Sequence, residues 1–253
     1  MTLAPSQIET YHRDGFLIVP GVFAAESLEL QSEARRLLTL TALMESNNLR
    51  CRWQNHIETG ECRFDCFDPV IDMSPVCERV AREPGLTEMV AQLYGEPAHL
   101  FKDKLIFKPP GATGYAMHQD FISWENFPES FLTAIVAIDP SDATSGATEV
   151  FPGYHQQGYL SPRDGMYHTL EDDKVDLTRG VTLDLQPGDV AFFSGFTPHR
   201  SGPNHSDHSR RLLYLSFNAD HDGGDIRNAH YEYFHRWLQE RYAEYGKTDT
   251  YFR

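Results

Sequence analysis

Polar and apolar positions along the chain fall into two regimes, helical at the ends and strand-like in the middle. In "AAESLELQSEARRLLTLTALMES" the apolar residues Leu28, Leu30, Leu37, Leu38 and Leu40 recur at helical spacing, which predicts a helix of several turns. Ahead of it, Ser6 with Glu9 three residues on reads as a capping box that opens a short helix stopped by Gly15. "FLIVPGVF" then reads as a strand ended by Pro-Gly. "VCERVAREPGLTEMVAQLYGEP" predicts two further helical pieces parted at Pro84-Gly85, and "NAHYEYFHRWLQERYAEYG" predicts a late helix closed by Gly246. From about 98 to 218 short β-like runs alternate with Gly/Pro turns: "AHLFKDKLIFK", "YAMHQDFISW", "FLTAIVAID", "ATEVFPG", "GVTLDLQPGD", "VAFFSG" and "RRLLYLSFNA". Regular short strands of this kind predict a sandwich or barrel. The simplest architecture is a single domain over 1–253, mainly β with flanking helices. It has a helical layer over about 1–97, a β core over about 98–218 and a C-terminal helix over about 228–246.

Charge narrows the range of partners. A net charge of −15 repels phosphate backbones and anionic lipid, which argues against nucleic acid or a membrane surface and leaves a small molecule. An anionic substrate then needs a locally basic pocket. Cys51, Cys62, Cys66 and Cys77 follow a C-x10-C-x3-C-x10-C spacing, poor for a zinc site, so free thiols in a reducing compartment are expected. The first residues show neither a basic nor an apolar signal region, and runs such as "FLTAIVAI" fall far short of the ~20 residues of a spanning helix. A cytoplasmic location is expected.

The chemistry centres on "YAMHQDF". In a strand, residues two apart share a face, so His118 and Asp120 point one way and Gln119 the other. An imidazole and a carboxylate so placed can clamp a divalent ion, although an isolated H-x-D is more simply a core histidine with its hydrogen-bond partner. The best third ligand is His199, at a strand end after "LQPGDVAFF". Two histidines and one carboxylate form the facial triad of non-haem Fe(II) oxygenases, which leaves coordination positions open. The neighbouring histidines admit a zinc site as the alternative, with His205 and His208 read as solvated loop residues.

Arg210 changes that balance. It lies eleven positions after His199 in a strand-like run, and a buried guanidinium needs an anion to meet it. Ser201 offers a hydroxyl to the same anion, while Arg211 on the opposite face reads as a surface residue. H-x-D upstream of H-x-S…R is far more specific than either half.

With these motifs in place, nearly the whole chain resembles the phytanoyl-CoA dioxygenase family of Fe(II)/2-oxoglutarate oxygenases. The likeness runs through "YHRDGFLIVPGVF", "LIFKPPGATGYAMHQDF", "GATEVFPGYHQQG" (Tyr154 standing where the family usually has Ser) and "LQPGDVAFFSGFTPHRSGPNHSDHSRR". The resemblance implies a double-stranded β-helix core of the jelly-roll or cupin-like kind. It also implies Fe(II) held by His118, Asp120 and His199. The distal carboxylate of the cosubstrate 2-oxoglutarate would rest on Arg210 and Ser201, with Lys104 as a further basic group near it. The reaction implied is hydroxylation of an unactivated C–H with O2. Related halogenases carry a small residue at the carboxylate position, so Asp120 argues for hydroxylation.

The substrate is read from less. Arg50 and Arg52 alternate in "ESNNLRCRWQNH" and share a face if extended, which suits an anionic group, or else they form surface salt bridges. Trp124 walls the pocket or simply packs. These stretches look most like the bacterial branch that hydroxylates 2-aminoethylphosphonate beside phosphorus. The alternatives are hydroxylation of a free amino acid or of a compatible solute such as ectoine, or a non-catalytic metal-binding sensor.

Overall fold

The computed structural model describes residues 1–44, 49–120, 127–164 and 167–245. Helix α1 (Pro5–Asp14) begins one residue ahead of the Ser6 capping box. Ala4 takes the N-cap and its N–H donates to Gln7 Oε1 at 2.8 Å, while Pro5 at the first helical position lacks an N–H that no helix could use. Gly15 ends the helix at φ 81°, where a side chain would run into His155 and Thr197. Strand β1 (Phe16–Val19) follows.

Helix α2 (Ser27–Leu37) is shorter than its apolar pattern implies. Leu30, Ala34 and Leu37 are buried, whereas Leu28 is 75% exposed. The first 97 residues are also less helical than expected, because they hold β2 (Cys51–Asn55) and β3 (Cys62–Phe67) before α3 (Pro75–Ala81) and α4 (Pro84–Tyr94). The remaining strands are β4 (Ala98–Ile106), β5 (Tyr115–His118), β6 (Leu132–Ala137), β7 (Thr148–Val150), β8 (Val181–Thr182), β9 (Val190–Ser194), β10 (His199–Ser201) and β11 (Leu212–Ala219). Helix α5 (Arg227–Tyr245) follows them, and its expected stop at Gly246 lies outside the described residues.

The strands form two antiparallel sheets. One has seven strands in the order β1-β9-β6-β11-β4-β3-β2, the other four in the order β5-β10-β7-β8. The fold is the mainly-β, double-stranded β-helix arrangement. All eight residues of β11 are buried because both faces of the large sheet are covered. On one face Leu105, Leu132, Val136, Leu213 and Leu215 pack against Leu30, Leu37, Leu86 and Val90 of the helices. The other face carries Ile106, Ile135, Leu212 and Tyr214 and meets Val150 of the small sheet.

Cross-strand pairing sets two polar rungs on that second face. Lys104 lies beside Tyr214, which pairs Ile135; Lys102 lies beside Ser216, which pairs Thr133. The register shifts just beyond the second rung, where Phe217 is opposite Leu100 and β4 carries one extra residue, Phe101.

Arg211 is not the surface residue that its place beside Arg210 suggests. Its guanidinium clasps Asp139 at 2.5 and 2.6 Å and its side chain is 12% exposed. His205 and His208 are exposed, as expected of loop residues. The four cysteines are free thiols, three of them buried.

Candidate active site

The structure brings His118, Asp120 and His199 together. Their ligand atoms lie within 4.8 Å of one another, the one such cluster of His, Cys, Asp and Glu among the described residues. His118 closes β5 and pairs directly with His199, which opens β10, so the imidazoles meet at 4.3 Å between centroids. The pattern alone puts His199 at the end of the preceding strand; the chain instead turns and starts a new one.

Asp120 lies just past β5, with its N–H donating to Gly195 O at 3.0 Å. Gln119 between the two ligands points the other way. It donates to Gly158 O and Phe196 O and accepts from the Leu160 N–H, which pins this turn against two loops.

Hydrogen bonding fixes how the imidazoles face the carboxylate. His118 Nδ1 is 2.7 Å from Ala116 O and His199 Nδ1 is 3.0 Å from Thr197 O. A carbonyl only accepts, so each Nδ1 carries a proton, and in the neutral ring Nε2 presents a lone pair. These Nε2 atoms stand 3.7 and 3.6 Å from Asp120 Oδ1, too far for hydrogen bonds. H-x-D here is therefore not a histidine bonded to its acid. Two lone pairs and an anion face one point, an arrangement that could hold a cation between them.

The ionisation states agree. Burial, the largest cause, pushes His199 down to about 4, so its ring is neutral near pH 7 and its Nε2 could serve as a ligand. Burial raises the Asp120 carboxyl, but His199, His118 and Lys104 outweigh it and hold the group below the usual carboxylate range. Thr133 Oγ1 donates to Asp120 Oδ2 at 3.2 Å and orients the carboxylate.

Two cavities adjoin this cluster and share Lys104, Ile106, Tyr115, His118 and Asp120. The inner one, about 40 Å³, reaches Thr148, His199, Arg200, Ser201 and Tyr214. The outer one, about 160 Å³, is lined by Lys102, Ser216, Phe127, Phe131, Tyr167, Phe234 and Trp237.

Behind the inner cavity lies a buried polar network. Arg210 is 1% exposed, and its Nε and Nη1 have no hydrogen-bond partner among the described residues. An orphaned guanidinium fork suits a carboxylate. Lys108, for which the sequence pattern gives no signal, is fully buried. Its Nζ lies within hydrogen-bond distance of Gly146 O (2.7 Å), Gly202 O (2.5 Å) and Ser201 Oγ (3.0 Å). Burial and the Arg210 charge push this lysine down to about 6. Its φ of 35° is unusual for a non-glycine residue, and Gly146 must lack a side chain because a Cβ there would meet Lys108 Nζ at 2.7 Å. Asp65 accepts from Tyr115 Oη and Gln54 Nε2, and burial raises its pKa against the pull of Tyr115, Lys108 and Arg210.

The residues singled out for substrate fall differently. Arg50 donates to Pro69 O and to Asp72 at 2.5 Å; Arg52 is 2% exposed and donates to Leu49 O and Cys51 O. Neither is among the described residues that line these two cavities: Arg50 lies just before β2, the outermost strand of the large sheet, and Arg52 is buried within it. Arg52 stacks behind the outer cavity, 5.5 Å from the Phe234 ring. Trp124 lies outside the described residues.

Residues 11–212 match the family model described as Phytanoyl-CoA dioxygenase (PhyH). The chain belongs to this family. Two relatives align with much of this phytanoyl-CoA dioxygenase family member. A methylphosphonate hydroxylase of Gimesia maris is 30% identical, covering 91% of this chain and 86% of its own. A 2-aminoethylphosphonate dioxygenase from an uncultured bacterium is 34% identical, covering 68% and 67%. Among solved structures, the epimerase SnoN in complex with Fe3+, alpha ketoglutarate and nogalamycin RO superposes with a TM-score of 0.70. It is 25% identical over 85% of this chain and 82% of its own. Helix α5, which supplies Phe234 and Trp237 to the outer cavity, lies beyond the family-matched span.

Proposed function

We propose that this protein is an Fe(II)- and 2-oxoglutarate-dependent dioxygenase that hydroxylates a small phosphonate, 2-aminoethylphosphonate or a close relative, at the carbon next to phosphorus. The observation that carries the reading is the convergence of His118 Nε2, His199 Nε2 and Asp120 Oδ1 where two cavities meet. Bound there, iron with its cosubstrate supplies the oxidising power to insert one oxygen of O2 into a C–H bond.

The chain's own residues do the rest. The two main-chain carbonyls hold both imidazoles in the ligating tautomer, and Thr133 steadies the carboxylate. Arg210 supports the distal carboxylate of 2-oxoglutarate. Ser201, whose Oγ lies 3.0 Å from Lys108 Nζ, offers its hydroxyl to the same carboxylate. Lys104 adds a positive charge at the junction.

Support for a phosphonate comes from charge and kinship. In a chain of net charge −15, two lysines, Lys102 and Lys104, face the outer cavity and offer a small anion its cationic partners. Two relatives with long alignments act on phosphonates by name. A succinate-release screen with Fe(II), ascorbate and 2-oxoglutarate tests the reading. Methylphosphonate or 2-aminoethylphosphonate should stimulate succinate and yield the α-hydroxylated product. Stimulation by ectoine or free amino acids alone refutes the phosphonate assignment, and no succinate under any condition refutes the oxygenase assignment.

A further inference from the structure

We infer that the Lys102–Ser216 rung is the place where the substrate's anionic head binds. This rests on the phosphonate reading above and names the residues that carry it.

The argument starts from register. Lys102 and Lys104 are two apart on β4 and share a face, and the paired residues Ser216 and Tyr214 alternate in the same way on β11. The two rungs then diverge. Tyr214 lines only the inner cavity, whereas Ser216 and Lys102 line only the outer one. One strand pair thus serves two compartments through successive rungs.

The outer rung runs to the metal ligands. Thr133 Oγ1 donates to Asp120 Oδ2 at 3.2 Å and lies 3.5 Å from Ser216 Oγ. With the Thr133 proton on Asp120, Ser216 is the donor across the long 3.5 Å contact, a weak bond that its hydroxyl can exchange for an anion in the cavity. Neighbouring strands are ~4.8 Å apart, so Ser216 lies one strand, and Lys102 two, from the residue that holds Asp120. A head group on Ser216 and Lys102 puts the adjoining carbon at the Asp120 end, where oxidation at the position next to phosphorus has to occur.

Lys102 is built for this task. Its Nζ bonds Asp68 Oδ2 at 2.6 Å and lies 4.5 Å from the Phe234 ring centroid, so its place is fixed on one side by an anion and on the other by an aromatic face. An ammonium has three protons, and Asp68 uses one. Asp68 is also served by the Arg52 charge, so Lys102 can share its own with a ligand. A tetrahedral oxyanion with several acceptors suits an ammonium and a hydroxyl side by side.

The test is anaerobic titration of methylphosphonate, and separately 2-aminoethylphosphonate, into the Fe(II)·2-oxoglutarate complex, followed by its visible charge-transfer band. Lys102→Met should weaken phosphonate binding at least tenfold and Ser216→Ala about threefold, while the 2-oxoglutarate Kd from the same band stays within twofold of wild type. Should Lys102→Met fail to fold with Asp68 buried, Ser216→Ala decides alone. Wild-type protein that binds neither phosphonate defeats the substrate reading. Wild-type binding that both variants retain, or an equal loss of 2-oxoglutarate affinity, defeats the rung assignment only.

Discussion

The Lys104–Tyr214 rung and the Lys102–Ser216 rung are neighbours on the same two strands, yet they face different worlds. Around the inner rung, polar groups are tied to other parts of the family-matched chain: Lys108 to Ser201, Asp65 to Tyr115, the imidazoles to main-chain carbonyls. Around the outer rung the walls are aromatic, and two of them, Phe234 and Trp237, come from a helix beyond the family-matched residues. On the proposed reading, the difference separates the cosubstrate's side from the substrate's. On that reading the inner side holds the cosubstrate, a task that suits groups locked together. The outer side can change through α5 without disturbing them.

Breaking the junction between the two sides has the largest effect. Asp120→Ala removes the anion on which both imidazoles converge, and turnover should fall below detection in a succinate assay, with no charge-transfer band on adding Fe(II) and 2-oxoglutarate.

Arg227→Met should unhook the outer wall. Arg227 pairs with the fully buried Asp103, while Tyr231 Oη accepts from the Asp103 N–H and reaches the Asp103 main-chain oxygen at 3.0 Å. Removing one partner of a buried pair costs about 3–5 kcal/mol. Asp103 keeps its bonds from the Val70 and Ile71 N–H groups, so the lower end is expected, read as a fall in the urea midpoint with α5 cleaved early in limited proteolysis.

Arg210→Met addresses the inner side alone. A hydrogen bond to a charged group contributes about 1.5–3 kcal/mol, so 2-oxoglutarate should bind roughly ten- to a hundredfold more weakly. Equal weakening of phosphonate binding in the same titration contradicts the separation of the two rungs.

The smallest effect is a pH slope. Lys108 titrates at about 6 when folded, against 10.5 for an ordinary lysine. Between those values the unfolded chain holds a proton that the folded chain has released, so this group makes stability rise with pH from about 6 towards 10.5. Asp65 opposes part of the shift. Lys108→Met should flatten the rise in urea midpoint between pH 6 and 9.

The comparison also explains what could be read without coordinates. His118, Asp120 and His199 were legible because strand alternation and motif spacing are properties of the chain itself. Arg210 was legible as a charged residue in a strand-like run that has to be buried. Lys108 was not, because a lysine in "FKPPG" resembles any solvated turn residue until three oxygens surround it. The Lys102–Ser216–Thr133 rung was hidden for a different reason. Which residue lies beside which depends on register between strands far apart in sequence. The arginines of "LRCRW" misled because alternation sets faces only within a strand. Arg50 lies before β2, held by Asp72, and Arg52 is buried behind Phe234.

Phe101, the supernumerary residue of β4, acts as an expansion joint. Because the pairing already slips there, a residue gained or lost between α4 and this point can be absorbed before it reaches Lys102, and the lysines keep their phase relative to β11. The same change beyond it, between Lys102 and Lys104, would rotate one ammonium into the helical layer and swap a ligand site for a buried charge.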